Sequence, residues 1–208
     1  MDQPNYERRE ISRPLCLILF KPSGMLIQDE IVDLVSQNAN ILIDQTIHTT
    51  EEKVIAHYSS CKYEKNGEET YFYPALVRYM SNRNSRVLVI EPKTQMAPDE
   101  FVKYVKEELV GNNEHGIPSF AHPGQIRYLG FTHQFQHDQH VDMSDVADSL
   151  PNTWQSHPRR ETIIDNLIHS STNAEEAIEE IKLWLGEDVF RTLIDSNTNN
   201  ISDENQEL

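Results

Sequence analysis

Short apolar runs alternate with amphipathic segments along most of the chain. Residues 15–20 are apolar at every position and have the length of a strand, and residues 86–91 are apolar between a terminal Arg86 and Glu91. Between these runs, Ile41, Ile43 and Ile47 lie at even spacings, as in a strand with one buried face. A last short strand is predicted over residues 163–168. The pattern therefore predicts a sheet of short strands.

Helical periodicity and helix-capping residues fill the intervals between these strands. Residues that favour a helix start are Ser23, Thr49 with Glu52 as a capping box, Pro98, and Asn173 with Glu176. Asn38 and Gly111 are suitable helix terminators. The predicted helices cover about residues 23–38, 49–58, 75–80, 98–110, 173–185 and 187–194.

The order of strands and helices predicts an α+β fold. It favours a ferredoxin-like α/β sandwich, with a four-stranded antiparallel sheet and helices packed on one face. Residues 1–13 form a polar N-terminal arm, and residues 14–194 form the folded domain. Residues 128–161 are rich in polar residues and lack apolar periodicity, which indicates an inserted loop or flap. Residues 195–208 are predicted to be a disordered polar tail.

The charge balance excludes several kinds of partner. The chain has 18 Lys and Arg against 34 Asp and Glu, a net charge of −16, which repels nucleic acids and anionic membranes. No apolar run approaches the ~20 residues that cross a bilayer, and no secretory signal is visible. Cys16 and Cys61 lack CxxC spacing, which favours a reduced, cytoplasmic protein. Glycine-rich dinucleotide and Walker motifs are absent from the sequence.

Several short segments carry chemically useful residues in a fixed order. They are Lys21-Pro22, His57-Tyr58, Phe72-Tyr73-Pro74, Pro123-Gly124-Gln125-Ile126-Arg127, Asn166-Leu167-Ile168-His169 and Leu183-Trp184. This ordered set resembles the nucleoside diphosphate kinase family. The resemblance extends from about residue 15 to residue 194, apart from the insertion.

The resemblance implies an enzyme that transfers the terminal phosphoryl group of a nucleoside triphosphate to a nucleoside diphosphate. The implied nucleophile is His169, because histidine is neutral near pH 7 with an unperturbed pKa of ~6.5. Glu180 would hold the other ring nitrogen. The implied catalytic residues are His169, Lys21, Glu180 and Ser171.

The same resemblance implies a nucleotide site and an assembly. Phe72 would stack on the base, and the implied nucleotide-binding residues are Lys21, Tyr58, Phe72, Arg127, Asn166 and Asn113. The cofactor would be Mg²⁺ held by the nucleotide phosphates, with no direct protein ligand. The family forms oligomers, so a homo-oligomer is expected.

The sequence also departs from the family pattern. Glu107 occupies the place of a second phosphate-binding arginine, and Asn113 that of a threonine. The segment after the histidine reads Ser170-Ser171-Thr172, without the family's acidic residue. An alternative therefore stays open: a nucleotide-binding regulatory or interaction module with the same fold and little turnover.

The insertion contains a second group of histidines. His133, His137 and His140 have i, i+4 and i+7 spacing, so they would share one face of a helix. Such a face would suit Zn²⁺ or another transition metal. The alternative is a polar, histidine-rich loop without a ligand, since no cysteine accompanies these residues.

Overall fold

Antiparallel strands form the sheet at the centre of the fold. The computed structural model describes residues 13–63, 67–70, 72–111, 121–132 and 166–204. Its strands are β1 (Cys16–Phe20), β2 (Ala39–Thr49), β3 (Arg83–Pro92) and β4 (Ile168–Ser170). They form one 4-stranded sheet of order β2-β3-β1-β4, in which neighbours are antiparallel. The predicted sheet and ferredoxin-like fold are confirmed.

Helices connect and cover these strands. They are α1 (Pro22–Leu26), α2 (Gln28–Asn38), α3 (Glu51–His57), α4 (Tyr73–Met80), α5 (Pro98–Tyr104), α6 (Ile126–Thr132), α7 (Ala174–Leu185) and α8 (Glu187–Glu204). A 3₁₀ turn, Ser59–Cys61, follows α3. A π-helical segment, Val105–Gly111, continues α5.

Both faces of the sheet are covered, so the expectation of helices on one face is wrong. Every residue of β1 is buried. Leu17 and Leu19 pack in one apolar cluster with residues of α3, α4, α7 and α8. Ile18 and Phe20 pack in a second cluster with residues of α2 and α5. A strand that is apolar at every position requires cover on both faces, which is why β1 occupies the interior of the sheet.

Several predicted boundaries need correction. The helical region after β1 begins at Pro22 instead of Ser23, because proline suits the first helical position. The N-cap of α3 is Thr50, whose side chain accepts from the Lys53 amide, while Thr49 ends β2. Strand β4 begins at Ile168, where the predicted strand ends. The predicted Asn173 cap of α7 is confirmed, since its side chain accepts from the Glu176 amide.

The ends of the insertion and of the tail also differ from expectation. Residues 128–132 belong to α6, and Leu129 packs against the second apolar cluster. Any inserted part therefore begins after Thr132. Helix α8 runs to Glu204, so residues 195–204, assigned to a disordered tail, are helical. Residues 1–12, 133–165 and 205–208 lie outside the described residues, so most of the arm and insertion, including His133, His137 and His140, stays a prediction.

Candidate active site

His169 lies on the edge strand β4, next to the fully buried strand β1. It pairs with Leu19 across the antiparallel ladder, so both side chains point to the same face of the sheet. Helices α3 and α7 cover this face through the cluster that contains Leu19, Val54 and Ile181. The His169 side chain keeps 19% of its surface exposed. The fold therefore holds this imidazole rigidly and leaves one part of it accessible.

A buried carboxylate joins His169 to Ser171. The His169 Nε2 atom lies 2.6 Å from Glu180 Oε1. The Ser171 hydroxyl donates to Glu180 Oε2 at 2.6 Å and accepts from the Leu17 amide at 3.2 Å. Burial raises the pKa of Glu180. Because both carboxylate oxygens have partners, the side chain at position 180 is oriented toward the histidine.

This contact determines the chemistry available to the His169 ring. With Nε2 against a carboxylate oxygen, the ring proton lies on Nε2 and the lone pair lies on Nδ1. Burial, followed by the charge of Lys21, lowers the pKa of His169 to about 3. The imidazole is therefore neutral at pH 7, and Nδ1 can act as a nucleophile.

His57 and Trp184 extend this network, and sequence reasoning assigned neither of them a role in it. Trp184 Nε1 donates to His57 Nδ1 at 3.0 Å, so the His57 proton lies on Nε2. The His57 and His169 ring centroids are 4.3 Å apart in an edge arrangement. Burial, followed by the charge of His169, lowers the pKa of His57 to about 3. The feature of the sequence that indicates a role for His57 is its position one turn after the buried Val54, on the inner face of α3.

A buried lysine and a half-buried arginine lie around the nucleophile. Lys21 follows β1 directly, is 5% exposed, and donates its backbone amide to the Leu167 carbonyl at 2.9 Å. Arg127 Nη1 donates to the Gly111 carbonyl at 2.8 Å, and burial lowers the pKa of Arg127 to about 10. The charges of both residues lower the pKa of His169. Positive charge is therefore concentrated beside the accessible ring nitrogen.

Buried polar atoms without a partner gather at the same place. Among the described residues, they include Tyr58 OH, His57 Nε2, Arg127 Nε and Asn166 Oδ1. Tyr58 also contacts His169, with ring centroids 5.7 Å apart. Buried polar groups are normally hydrogen-bonded, so a local concentration of exceptions indicates a site that a polar ligand completes.

The remaining residues suggested by the sequence are less closely grouped. Phe72 is partly buried against the first apolar cluster, at the start of α4. The Glu107 carboxylate is 49% exposed and lies 4.0 Å from Lys103 Nζ, at the surface. Asn113 lies outside the described residues. The structure therefore brings His169, Glu180, Ser171, Lys21 and Arg127 together, and it leaves the base-stacking role of Phe72 a prediction.

One group of side chains has the spacing of metal ligands. Single ligand atoms of His57, His169 and Glu180 all lie within 4.8 Å of one another. His57 Nδ1 and His169 Nε2 are already engaged by Trp184 and Glu180. These nitrogen atoms therefore already take part in hydrogen bonds.

In the part of the chain that the structure describes, no helix is long and apolar enough to cross a membrane.

Fold and site together define an α/β sandwich protein with a buried histidine–carboxylate pair on an edge strand. The family model described as nucleoside diphosphate kinase matches residues 15–190. The chain therefore belongs to the nucleoside diphosphate kinase family. No curated protein matches the chain.

Solved structures of similar fold carry the same family name. The nucleoside diphosphate kinase of Encephalitozoon cuniculi is similar with a TM-score of 0.54 and 21% identity, over 85% of this chain and 91% of that chain. That of Aquifex aeolicus has a TM-score of 0.51 and 22% identity, over 81% and 92%. The Babesia bovis family protein has a TM-score of 0.52 and 21% identity, over 82% and 86%. These similarities show the fold.

Proposed function

We propose that this protein is a nucleoside diphosphate kinase that works through a phosphohistidine at His169. One observation carries the proposal: Glu180 lies 2.6 Å from Nε2 of a neutral imidazole and leaves Nδ1 as the nucleophile. The Nδ1 lone pair attacks the terminal phosphorus of a nucleoside triphosphate. The bond from that phosphorus to the bridging oxygen breaks, and a nucleoside diphosphate leaves. Attack by a second diphosphate on the phosphohistidine reverses these bond changes.

Charge stabilisation comes from the residues around the nucleophile. Phosphoryl transfer spreads negative charge over the transferred oxygens, so fixed cations lower the barrier. Lys21 is buried, Arg127 is half-buried, and both are electrostatically coupled to His169, which suits this role. Glu180 stabilises the positive charge that the ring acquires when Nδ1 is phosphorylated, and Ser171 holds the carboxylate in place.

The side chains around His169 suit a magnesium ion that arrives with the nucleotide. Lys21 and Arg127 are cations, and the carboxylate of Glu180 is already bound by His169 and Ser171. The chain thus offers phosphate-binding groups here, and the nucleotide phosphates would hold Mg²⁺. When bound, the ion would neutralise charge on those phosphates.

The nucleotide would also use the unpartnered polar atoms. Tyr58 OH and Asn166 Oδ1 are buried and have no hydrogen-bond partner in the part of the chain that the structure describes, so they can serve in sugar or phosphate recognition. Phe72 would stack on the base. Asn113, which is not among the described residues, would contact the phosphates. Homo-oligomeric assembly and a cytoplasmic location stay predictions.

The test is phosphorylation of the protein by γ-labelled ATP with Mg²⁺. The wild type is expected to acquire acid-labile label and lose it on addition of a nucleoside diphosphate. His169→Ala should acquire none while keeping its fold. His48→Ala, on the exposed part of β2, is the matched control and should label normally. Transfer from ATP to a diphosphate by His169→Ala would overturn the proposal.

A second candidate rests on the surface position of Glu107. A chain that lacks the family's second arginine could bind nucleotides as a regulatory or interaction module with little turnover. ADP binding by the wild type without any acid-labile label would favour this candidate.

A further inference from the structure

The turn before Gly111 has an unusual helical geometry. Residues Val105–Gly111 form a π-helix, in which hydrogen bonds join residues five apart instead of four. In an α-helix, the residue one hydrogen-bonded turn before Gly111 would be Glu107. In this segment that residue is Lys106. At the position one hydrogen-bonded turn before Gly111, the π-helix therefore has Lys106 where an α-helix would have Glu107.

The π-helical segment lies between the two parts of the candidate site. It packs against β4, which carries His169, and against α6, which carries Arg127. Gln125 Nε2 donates to the Glu107 carbonyl at 2.9 Å, and Arg127 Nη1 donates to the Gly111 carbonyl at 2.8 Å. These bonds fix the segment relative to Arg127.

Adjacent side chains of this segment have opposite environments. The Glu107 carboxylate is at the surface beside Lys103 Nζ. Lys106 is half-buried and forms no hydrogen bond or ion pair with any residue that the structure describes. Burial is the largest cause of the lowered pKa of His169, and the charges of Lys21, Arg127 and Lys106 lower it further. A half-buried cation without a partner among the described residues is suited to binding an anion.

We propose that Lys106 binds the phosphate groups of the ligand at this site. It would take the role of the family's second phosphate-binding arginine, whose place in the sequence is occupied by Glu107. The inference builds on the proposed function, because the ligand would be a nucleoside di- or triphosphate. A lysine on a flexible stem provides a point charge with rotatable donors, which fits terminal phosphate oxygens. The π-helical turn is the device that brings this side chain to the site.

The experiment compares the affinity of full-length variants for ADP, adenosine and tripolyphosphate by calorimetry. Lys106→Met is expected to weaken binding of ADP and tripolyphosphate about tenfold and to leave adenosine binding unchanged, since a charged hydrogen bond is lost. Lys106→Arg should bind ADP like the wild type. Lys103→Met, on the exposed face of the same helix, is the matched control and should change ADP affinity less than about twofold.

The outcomes separate this proposal from the proposed function. Equal affinity of wild type and Lys106→Met for both polyphosphates overturns the role of Lys106. Binding of tripolyphosphate that depends on Lys106, without ADP binding, overturns the nucleotide function and supports the phosphate site. Binding of neither probe by the wild type overturns both.

Discussion

The candidate site has two sides that are built differently. The histidine side consists of His57, His169, Ser171, Glu180 and Trp184. Hydrogen bonds join Glu180 to His169 and Ser171, another joins Trp184 to His57, and the rings of His57 and His169 are in contact. The phosphate side consists of the π-helical segment Val105–Gly111 with Gln125 and Arg127, and it is held through backbone carbonyls. On the histidine side each functional group orients its neighbour. On the phosphate side, Lys106 has no partner among the described residues.

This difference indicates which parts of the site can change without loss of the fold. A buried carboxylate such as Glu180 is stable only with hydrogen-bond partners, so its neighbours can hardly be replaced singly. Half-buried or exposed cations carry no such cost. If the basic residue stands at an adjacent position of the helical turn, the sequence pattern differs but the positive charge stays at the site. The histidine side is therefore expected to be sensitive to substitution and the phosphate side tolerant.

The largest effect is expected for Glu180→Gln on the histidine side. An amide cannot stabilise the positive charge that the phosphorylated ring carries, and its nitrogen is a donor where either His169 or Ser171 needs an acceptor. We expect the rate of protein phosphorylation by ATP to fall about 10²-fold to 10³-fold, as for the loss of one stabilising group in an active site. The measurement is a quenched-flow time course of acid-labile label.

Glu179→Gln is the matched control, because Glu179 is the neighbouring exposed carboxylate of α7. It should phosphorylate at the wild-type rate. Urea unfolding of both variants verifies that the folded state is populated. A Glu180→Gln rate within threefold of the control would mean that the histidine works without its carboxylate.

A second test addresses the packing behind His169. A Cβ at Gly24 would lie 2.1 Å from the Leu167 carbonyl oxygen, which also accepts from the Lys21 amide. Leu167 already has a φ of 71°, so its backbone has little freedom to move. We expect Gly24→Ala to lower the free energy of unfolding by about 3 kcal/mol. Denaturant unfolding measures this.

The control for the packing test is Ser36→Ala, at an exposed position of α2. It should change the free energy of unfolding by less than about 0.5 kcal/mol. A Gly24→Ala variant as stable as this control would contradict the close approach of α1 to the segment that precedes β4.

The sequence predicted the histidine side better than the phosphate side. The run at residues 15–20 and the Asn173 cap were sufficient to predict β1 and the start of α7. The resemblance implied Glu180, and the helical period, which places it beside the core residue Ile181, supported that assignment. These inferences work because burial imposes a period on the sequence.

Other features depend on contacts that the sequence does not encode locally. The π-helical turn is not marked by any residue type in Val105–Gly111, so the match to the family's order of residues placed Glu107 at the position of the arginine. The role of His57 depends on Trp184, which is distant in the sequence and meets it only in the folded chain. The helices on the second face of the sheet follow from the burial of both faces of β1, which alternation rules do not describe.

The third test uses pH to probe the histidine side. In the folded state, burial lowers the pKa of His57 and of His169 from 6.5 to about 3. The unfolded state therefore binds more protons between these values, and the free energy of unfolding falls as pH decreases from about 6.5. Each histidine contributes roughly 1 kcal/mol per pH unit in this window. Glu180, whose pKa is raised, contributes in the opposite direction.

A comparison of variants separates the contribution of His57 to the pH dependence of stability from that of the carboxylates. Urea unfolding between pH 7 and pH 4 should give a smaller loss of stability for His57→Phe than for the wild type, relative to each protein at pH 7. His48→Gln, at an exposed position of β2, should follow the wild type. Identical pH dependence of His57→Phe and wild type would mean that His57 is protonated in the folded protein.

The smallest effect is expected for Glu107→Arg on the phosphate side. The resemblance alone predicts a marked gain, because an arginine would return to the family position. In the structure the carboxylate is 49% exposed and faces Lys103, so water and salt screen its charge from the phosphates. We expect phosphorylation rate and ADP affinity to change less than about threefold, measured at one ionic strength with saturating Mg²⁺. A gain of tenfold in both would show that position 107 reaches the phosphates. The segment Val105–Gly111 would then position its side chains as an α-helix does, which would contradict the phosphate-binding role of Lys106.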